Sequence, residues 1–131
     1  MDQRPIGVFD SGFGGISVLA AAVSALPEER FVYLGDNLHA PYGAHAEAEI
    51  MSYSRACVRY LIASDCKAIV IACNTATSVA AAALREEINM PIIAMEPALK
   101  PASMLPGGGL VLVLATEVTL KLDKFKQLMD I

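Results

Sequence analysis

Cys73 stands where an apolar run, 68–73, meets the start of a helical stretch, in the string Cys73-Asn74-Thr75. A thiol at that junction meets unpaired N–H donors and the positive end of the helix dipole, which favour the thiolate as a nucleophile or base. Most buried cysteines are simply small core hydrophobes. The strand-to-helix position and the polar Asn74 and Thr75 favour the reactive reading. Asp10-Ser11-Gly12-Phe13-Gly14-Gly15 is a second such junction. Its glycines allow close backbone approach to a ligand, and the N–H groups of the helix start favour an anion. A dinucleotide loop would place a third glycine where Ser17 stands, so that fingerprint is not met. Asp36 does sit where a ribose-binding acid is found, and a Rossmann-type nucleotide-binding domain is therefore the alternative from another class.

Pro41-Tyr42-Gly43 is by itself a turn signal that projects over the same rim. Glu96 and Thr116 close two further apolar runs. His39 and His45 read as exposed loop residues rather than bases. Lys100 lacks the phosphate cup that a Schiff-base cofactor needs. Cys57, on the stripe Ile50, Tyr53, Cys57, Tyr60, Leu61, and Cys66, just before 68–73, read as structural. No Cys-x-x-Cys pair occurs among the three cysteines, and neither histidine is at ligand spacing, so neither a disulfide framework nor a zinc site is expected.

Positioning these residues requires alternating strands and helices. Short apolar, β-branched runs at 6–10, 30–36, 68–73, 91–96 and 110–116 predict five strands. Helical stretches are expected at 16–26, 46–64, 75–88 and 119–129, with a short helix or loop at 97–105 and a turn at 107–109. That order means an α/β fold: a parallel β-sheet with flanking helices and right-handed crossovers. Ligands of such sheets sit outside the carboxyl ends of the strands. The five expected strands finish on Asp10, Asp36, Cys73, Glu96 and Thr116, all polar or reactive.

Bulk properties narrow the classes further. The 131 residues suffice for one domain with a real core, being 55% hydrophobic and 18% charged. A net charge of −4 leaves no basic stripe for nucleic acid. The uncharged stretches 11–27 and 68–84 are too short and too polar for a membrane span, and Met1-Asp2-Gln3-Arg4-Pro5 does not open a signal peptide. Reduced thiols and a cytoplasmic setting are expected.

In ordered blocks the sequence resembles the glutamate racemases of the Asp/Glu racemase superfamily. The blocks are Ile6-Gly7-Val8-Phe9-Asp10-Ser11-Gly12-Phe13-Gly14-Gly15, Tyr33-Leu34-Gly35-Asp36 with Pro41-Tyr42-Gly43, and Ile71-Ala72-Cys73-Asn74-Thr75-Ala76. Glu96-Pro97-Ala98-Leu99-Lys100-Pro101-Ala102 and Leu114-Ala115-Thr116 follow. The resemblance implies cofactor-independent interconversion of L- and D-glutamate, which supplies peptidoglycan and thereby cell-wall biogenesis and cell shape. It implies Cys73 as a catalytic acid/base on one face of the α-carbon, with Asp10 beside the thiol. Asp10, Ser11, Tyr42, Gly43, Asn74, Thr75 and Thr116 would contact the substrate, with no cofactor, metal, nucleic acid or membrane partner. Aspartate racemase is the near neighbour, but Asp10-Ser11-Gly12 and Cys73-Asn74-Thr75-Ala76 favour glutamate.

The family's second domain carries a Cys-Thr-His block for the opposite face, which this sequence lacks. Residues 1–99 are thus expected to form the N-terminal racemase domain, and 100–131 a linker and the first strand and helix of an incomplete second one. In this reading the chain is a truncated form with the first catalytic cysteine alone. It is inactive or weakly active by itself, unless a homodimer brings two copies of Cys73 together rim to rim.

Overall fold

The computed structural model describes residues 2–104, 109–121 and 125–126. β1 (Ile6–Asp10), β2 (Phe31–Gly35), β3 (Ala68–Ile71) and β4 (Ile92–Ala94) form one parallel sheet in the order β2-β1-β3-β4. Ile6 is in register with both Phe31 and Ala68, so the central β1 is flanked along its length. The helices are α1 (Ile16–Ala25), α2 (Glu47–Ala63), α3 (Asn74–Glu87), α4 (Leu99–Ser103) and α5 (Glu117–Lys121).

The first crossover steps one way along the sheet and the next two step the other way. Right-handed connections therefore put α1 on one face and α2 with α3 on the other. Phe9, Ile69, Ile71 and Ile92 meet Ile50, Cys57, Val58 and Leu61 of α2 and Ala76, Ala80, Ala81 and Leu84 of α3 in one core. Gly7 lets this packing close, because a Cβ there would lie 3.0 Å from Leu61 Cδ1 and 3.1 Å from Cys66 Sγ.

Local chemistry sets the helix ends. α1 stops at Leu26, before Pro27, whose ring cannot continue the ladder. α2 opens with Glu47 and Glu49 in its first turn, which suit the positive end of its dipole. Glu49 Oε2 also accepts from the Ala46 N–H at 3.0 Å.

Three expectations are corrected. Residues 110–116 form no strand: a strand needs a hydrogen-bonded neighbour, and none of the described strands pairs with them. Leu110 and Leu114, at 106% and 87% relative exposure, point into solvent. The buried stripe of α2 is Ile50, Ser54, Cys57, Val58 and Leu61, and Tyr60 lies exposed, because ~3.6 residues per turn carry it to the flank. His39 and His45 are partly buried rather than exposed loop residues, since His39 packs on Tyr53 and bonds Asp36, and His45 meets the Tyr53 ring edge-on. Most of the expected turn at 107–109 and much of the helix expected at 119–129 lie outside the described residues.

Candidate active site

The loops that leave the carboxyl ends of β1, β3 and β4 converge with residues 114–119 around a cavity of about 580 Å³. Asp10 ends β1 and is buried. Its Oδ2 accepts the N–H groups of Gly12 and Gly15, each at 3.1 Å, so the carboxylate folds its own turn. Gly15 must be glycine for this: a Cβ would sit 2.7 Å from Asp10 Cβ and 3.0 Å from Ala72 Cβ. Gly35 has even less room, with the Gly12 carbonyl oxygen 2.2 Å from the place of a Cβ. The Tyr33 hydroxyl donates to that same carbonyl at 2.9 Å, and burial raises its pKa, with the Asp10 charge adding to the effect.

Cys73 is the residue just before α3, in extended conformation. Its Sγ accepts from the Ala76 N–H at 3.4 Å and donates to Ser11 Oγ at 3.2 Å. The sulfur is thus tied both to the amino end of a helix and to the turn after β1. Asn74 and Thr75 follow as the first residues of α3 and line the cavity beside it.

The third group consists of hydroxyls. Thr75 Oγ1 lies 3.0 Å from Thr116 Oγ1 and 3.3 Å from Thr119 Oγ1, and the last two are 2.9 Å apart. This triangle fastens 114–119 to the start of α3 as one wall of the cavity. Thr119 was missed by the sequence reading. Its signal was the spacing of three from Thr116 at a helix start, which puts both on one face.

Asp10, Cys73, Asn74, Thr75 and Thr116 are therefore brought together, along with Glu96, and Ser11 joins through the thiol. Tyr42 and Gly43 are not in the cavity wall. Tyr42 is buried with its ring toward Phe9 and Tyr53, and Gly43 backs onto Thr116. The other two thiols belong to the core. Burial pushes Cys57 up to about 11, with the Asp36 charge adding to the effect, and burial also raises Cys66. Ser17 stands where a dinucleotide loop needs glycine, and its hydroxyl donates to the Gly14 carbonyl at 2.9 Å. Among the described residues no group of three or more His, Cys, Asp or Glu is arranged to hold a metal.

A cysteine and a carboxylate thus meet at the carboxyl edge of a parallel sheet, beside a hydroxyl-lined wall, in an α/β domain. The chain belongs to the Asp/Glu/hydantoin racemase family, whose pattern matches residues 11–130. The glutamate racemase of Clostridium perfringens is 55% identical over 131 residues, covering 99% of this chain and 50% of that protein. That of Clostridium botulinum is 48% identical, covering 100% and 51%. Among solved structures, glutamate racemase from Aquifex pyrophilus superposes with a TM-score of 0.88 at 35% identity, covering 97% of this chain and 51% of that one. The Escherichia coli enzyme, solved with L-glutamate and an activator, also gives 0.88, at 38% identity and with 96% and 48% covered. The chain thus spans about half the length of the curated relatives it matches.

Proposed function

We propose that this chain provides one catalytic face of a glutamate racemase. The observation that carries the reading is the Cys73 thiol, held between the α3 amino end and Ser11 in a cavity it shares with Asp10. Glutamate's α-carboxylate fits the N–H groups and hydroxyls at the start of α3, Asn74 and Thr75, with Thr116 beside them. Its ammonium fits the carboxylate side, toward Asp10 and Ser11. Cys73, as thiolate, takes the α-proton from one face: the C–H bond breaks, its electron pair moves toward the carboxylate, and the proton ends on sulfur. The donors at the α3 start stabilise the charge that develops there. Returning a proton from Cys73 restores the original hand, and inversion needs an acid on the opposite face. Tyr42 and Gly43 act from behind Thr116.

In the same reading, 1–99 form the first racemase domain, and 100–131 are the linker and beginning of the second. The substrate is glutamate rather than aspartate, as the names of the relatives support. The product D-glutamate feeds peptidoglycan in the cytoplasm. No described helix is long and apolar enough to cross a membrane. A two-fold pair, each copy contributing Cys73, is the arrangement by which this chain alone would invert glutamate.

The test is glutamate in deuterated water with the purified chain, following the α-hydrogen by NMR and the hand by chiral chromatography. Deuterium uptake that falls by roughly 10²–10⁴-fold in Cys73→Ala is expected of a lost acid/base. Uptake without inversion marks a single face at work. Inversion by a strict monomer contradicts the one-thiol mechanism, and stabilisation by a nicotinamide or adenine nucleotide would restore the nucleotide-binding alternative.

A further inference from the structure

Asp36 is a half-buried acid that the proposed chemistry does not use. It lies one residue past β2, and its side chain is only 10% exposed. A carboxylate so far out of water needs partners. Tyr42 donates its hydroxyl to Asp36 Oδ2 at 2.8 Å, and His39 Nδ1 lies 2.9 Å from both carboxylate oxygens. His39 in turn stacks on Tyr53, with ring centroids 3.9 Å apart. The backbone N–H of Asp36 donates to the Asp10 carbonyl at 2.9 Å, which ties this residue to the turn that forms one side of the cavity.

The loop captured by Asp36 ends in a single 3₁₀ turn, Tyr42–Ala44, that packs on both α3 and α5. Gly43 of that turn is the seat of Thr116: a Cβ there would fall 2.7 Å from Thr116 Cβ and Cγ2. Thr116 then bonds Thr75 at the cavity. A continuous series of contacts therefore runs from Asp10 through Asp36, Tyr42 and Gly43 to Thr116, from one side of the cavity to the other.

We infer that Asp36 is a positioning residue: by holding the Tyr42 hydroxyl it presents Gly43 as the surface on which the 114–119 wall of the cavity is seated. The inference rests on the racemase reading only for the use to which that wall is put. Burial, and the Asp36 carboxylate after it, push the Tyr42 pKa well above that of an ordinary phenol, consistent with a hydroxyl that keeps its proton and goes on donating.

The local reporters are the amides of Thr119, which donates to Thr116 Oγ1, and Leu120, which donates to the Thr116 carbonyl. Hydrogen exchange at these two sites is compared with Val8 and Val70 in the sheet centre. Asp36→Ala and Tyr42→Phe should each speed exchange at Thr119 and Leu120 by on the order of tenfold, the effect of one lost buried hydrogen bond. The double variant should add little to Asp36→Ala, which already removes the Tyr42 contact. Asp36→Asn keeps an acceptor oxygen for Tyr42 and should recover most of the protection. Should Asp36→Ala fail to fold, Tyr42→Phe and Asp36→Asn still decide the matter. The inference is overturned if the variants speed exchange equally throughout the sheet, if they leave Thr119 and Leu120 unchanged, or if both amides are unprotected in the wild type. Absent deuterium uptake by glutamate would count against Cys73 acting in this chain alone and leave these amide rates as they are.

Discussion

On the face covered by α2 and α3, Phe9, Ile69 and Ile71 are fully buried among helix side chains, whereas no residue of α1 is buried on the other face. Ile16 of α1 stays 51% exposed and Ile93 of β4 50% exposed. Both faces are apolar in sequence, so hydrophobicity alone does not distinguish them. Topology does, because two of the three crossovers land on the same side. The site inherits the asymmetry. Cys73 caps, and Asn74 and Thr75 begin, α3, the helix most deeply set in the core, while the 114–119 wall leans on them.

The largest effect that would sharpen this contrast is Ile71→Ala. Truncating a fully buried branched side chain should cost about 2–5 kcal/mol in a denaturant titration. Ile16→Ala on α1 should stay within ~0.5 kcal/mol, as surface changes do. Similar losses at the two positions would show that α1 is packed as tightly as the other face.

Gly15→Ala probes the edge where the faces meet. The added methyl collides with Asp10 and Ala72, so the turn must shift at a cost of roughly 1–3 kcal/mol. Alkylation of Cys73 should change with it, because Ser11 moves with the turn. A variant as stable as wild type, with Cys73 equally reactive, would mean that the turn yields without strain.

A smaller effect is set by pH. Burial on the packed face lifts the Cys57 thiol from its ordinary 9.0 to about 11. The folded state thus holds this proton more tightly than the unfolded chain. Its stabilising contribution is complete below pH 9 and is lost as pH rises through about 11. Cys66 and Tyr42, also raised, act in the same direction. The melting temperature should fall over this range, and less steeply in Cys57→Ala. An unchanged slope in that variant would remove Cys57 from the account.

What the sequence determined by itself was local. Apolar runs and helical periodicity placed the four strands of the sheet and the three long helices to within about two residues. The junctions at Asp10 and Cys73 were legible because a strand end and a helix start are adjacent in the chain. Whether an apolar run becomes a strand is a different matter: 110–116 has the composition but pairs with none of the described strands. The tertiary structure also decided that Tyr42 turns into the core toward Asp36, and that Thr116 and Thr119 meet Thr75 more than forty positions away. The physical reason is range. Backbone propensity and amphipathic period act over a few residues, whereas a buried hydroxyl or carboxylate is satisfied by whatever the crossovers bring to it. So the thiol could be found from its own neighbours in the chain, but the wall facing it is set by contacts that no local pattern encodes.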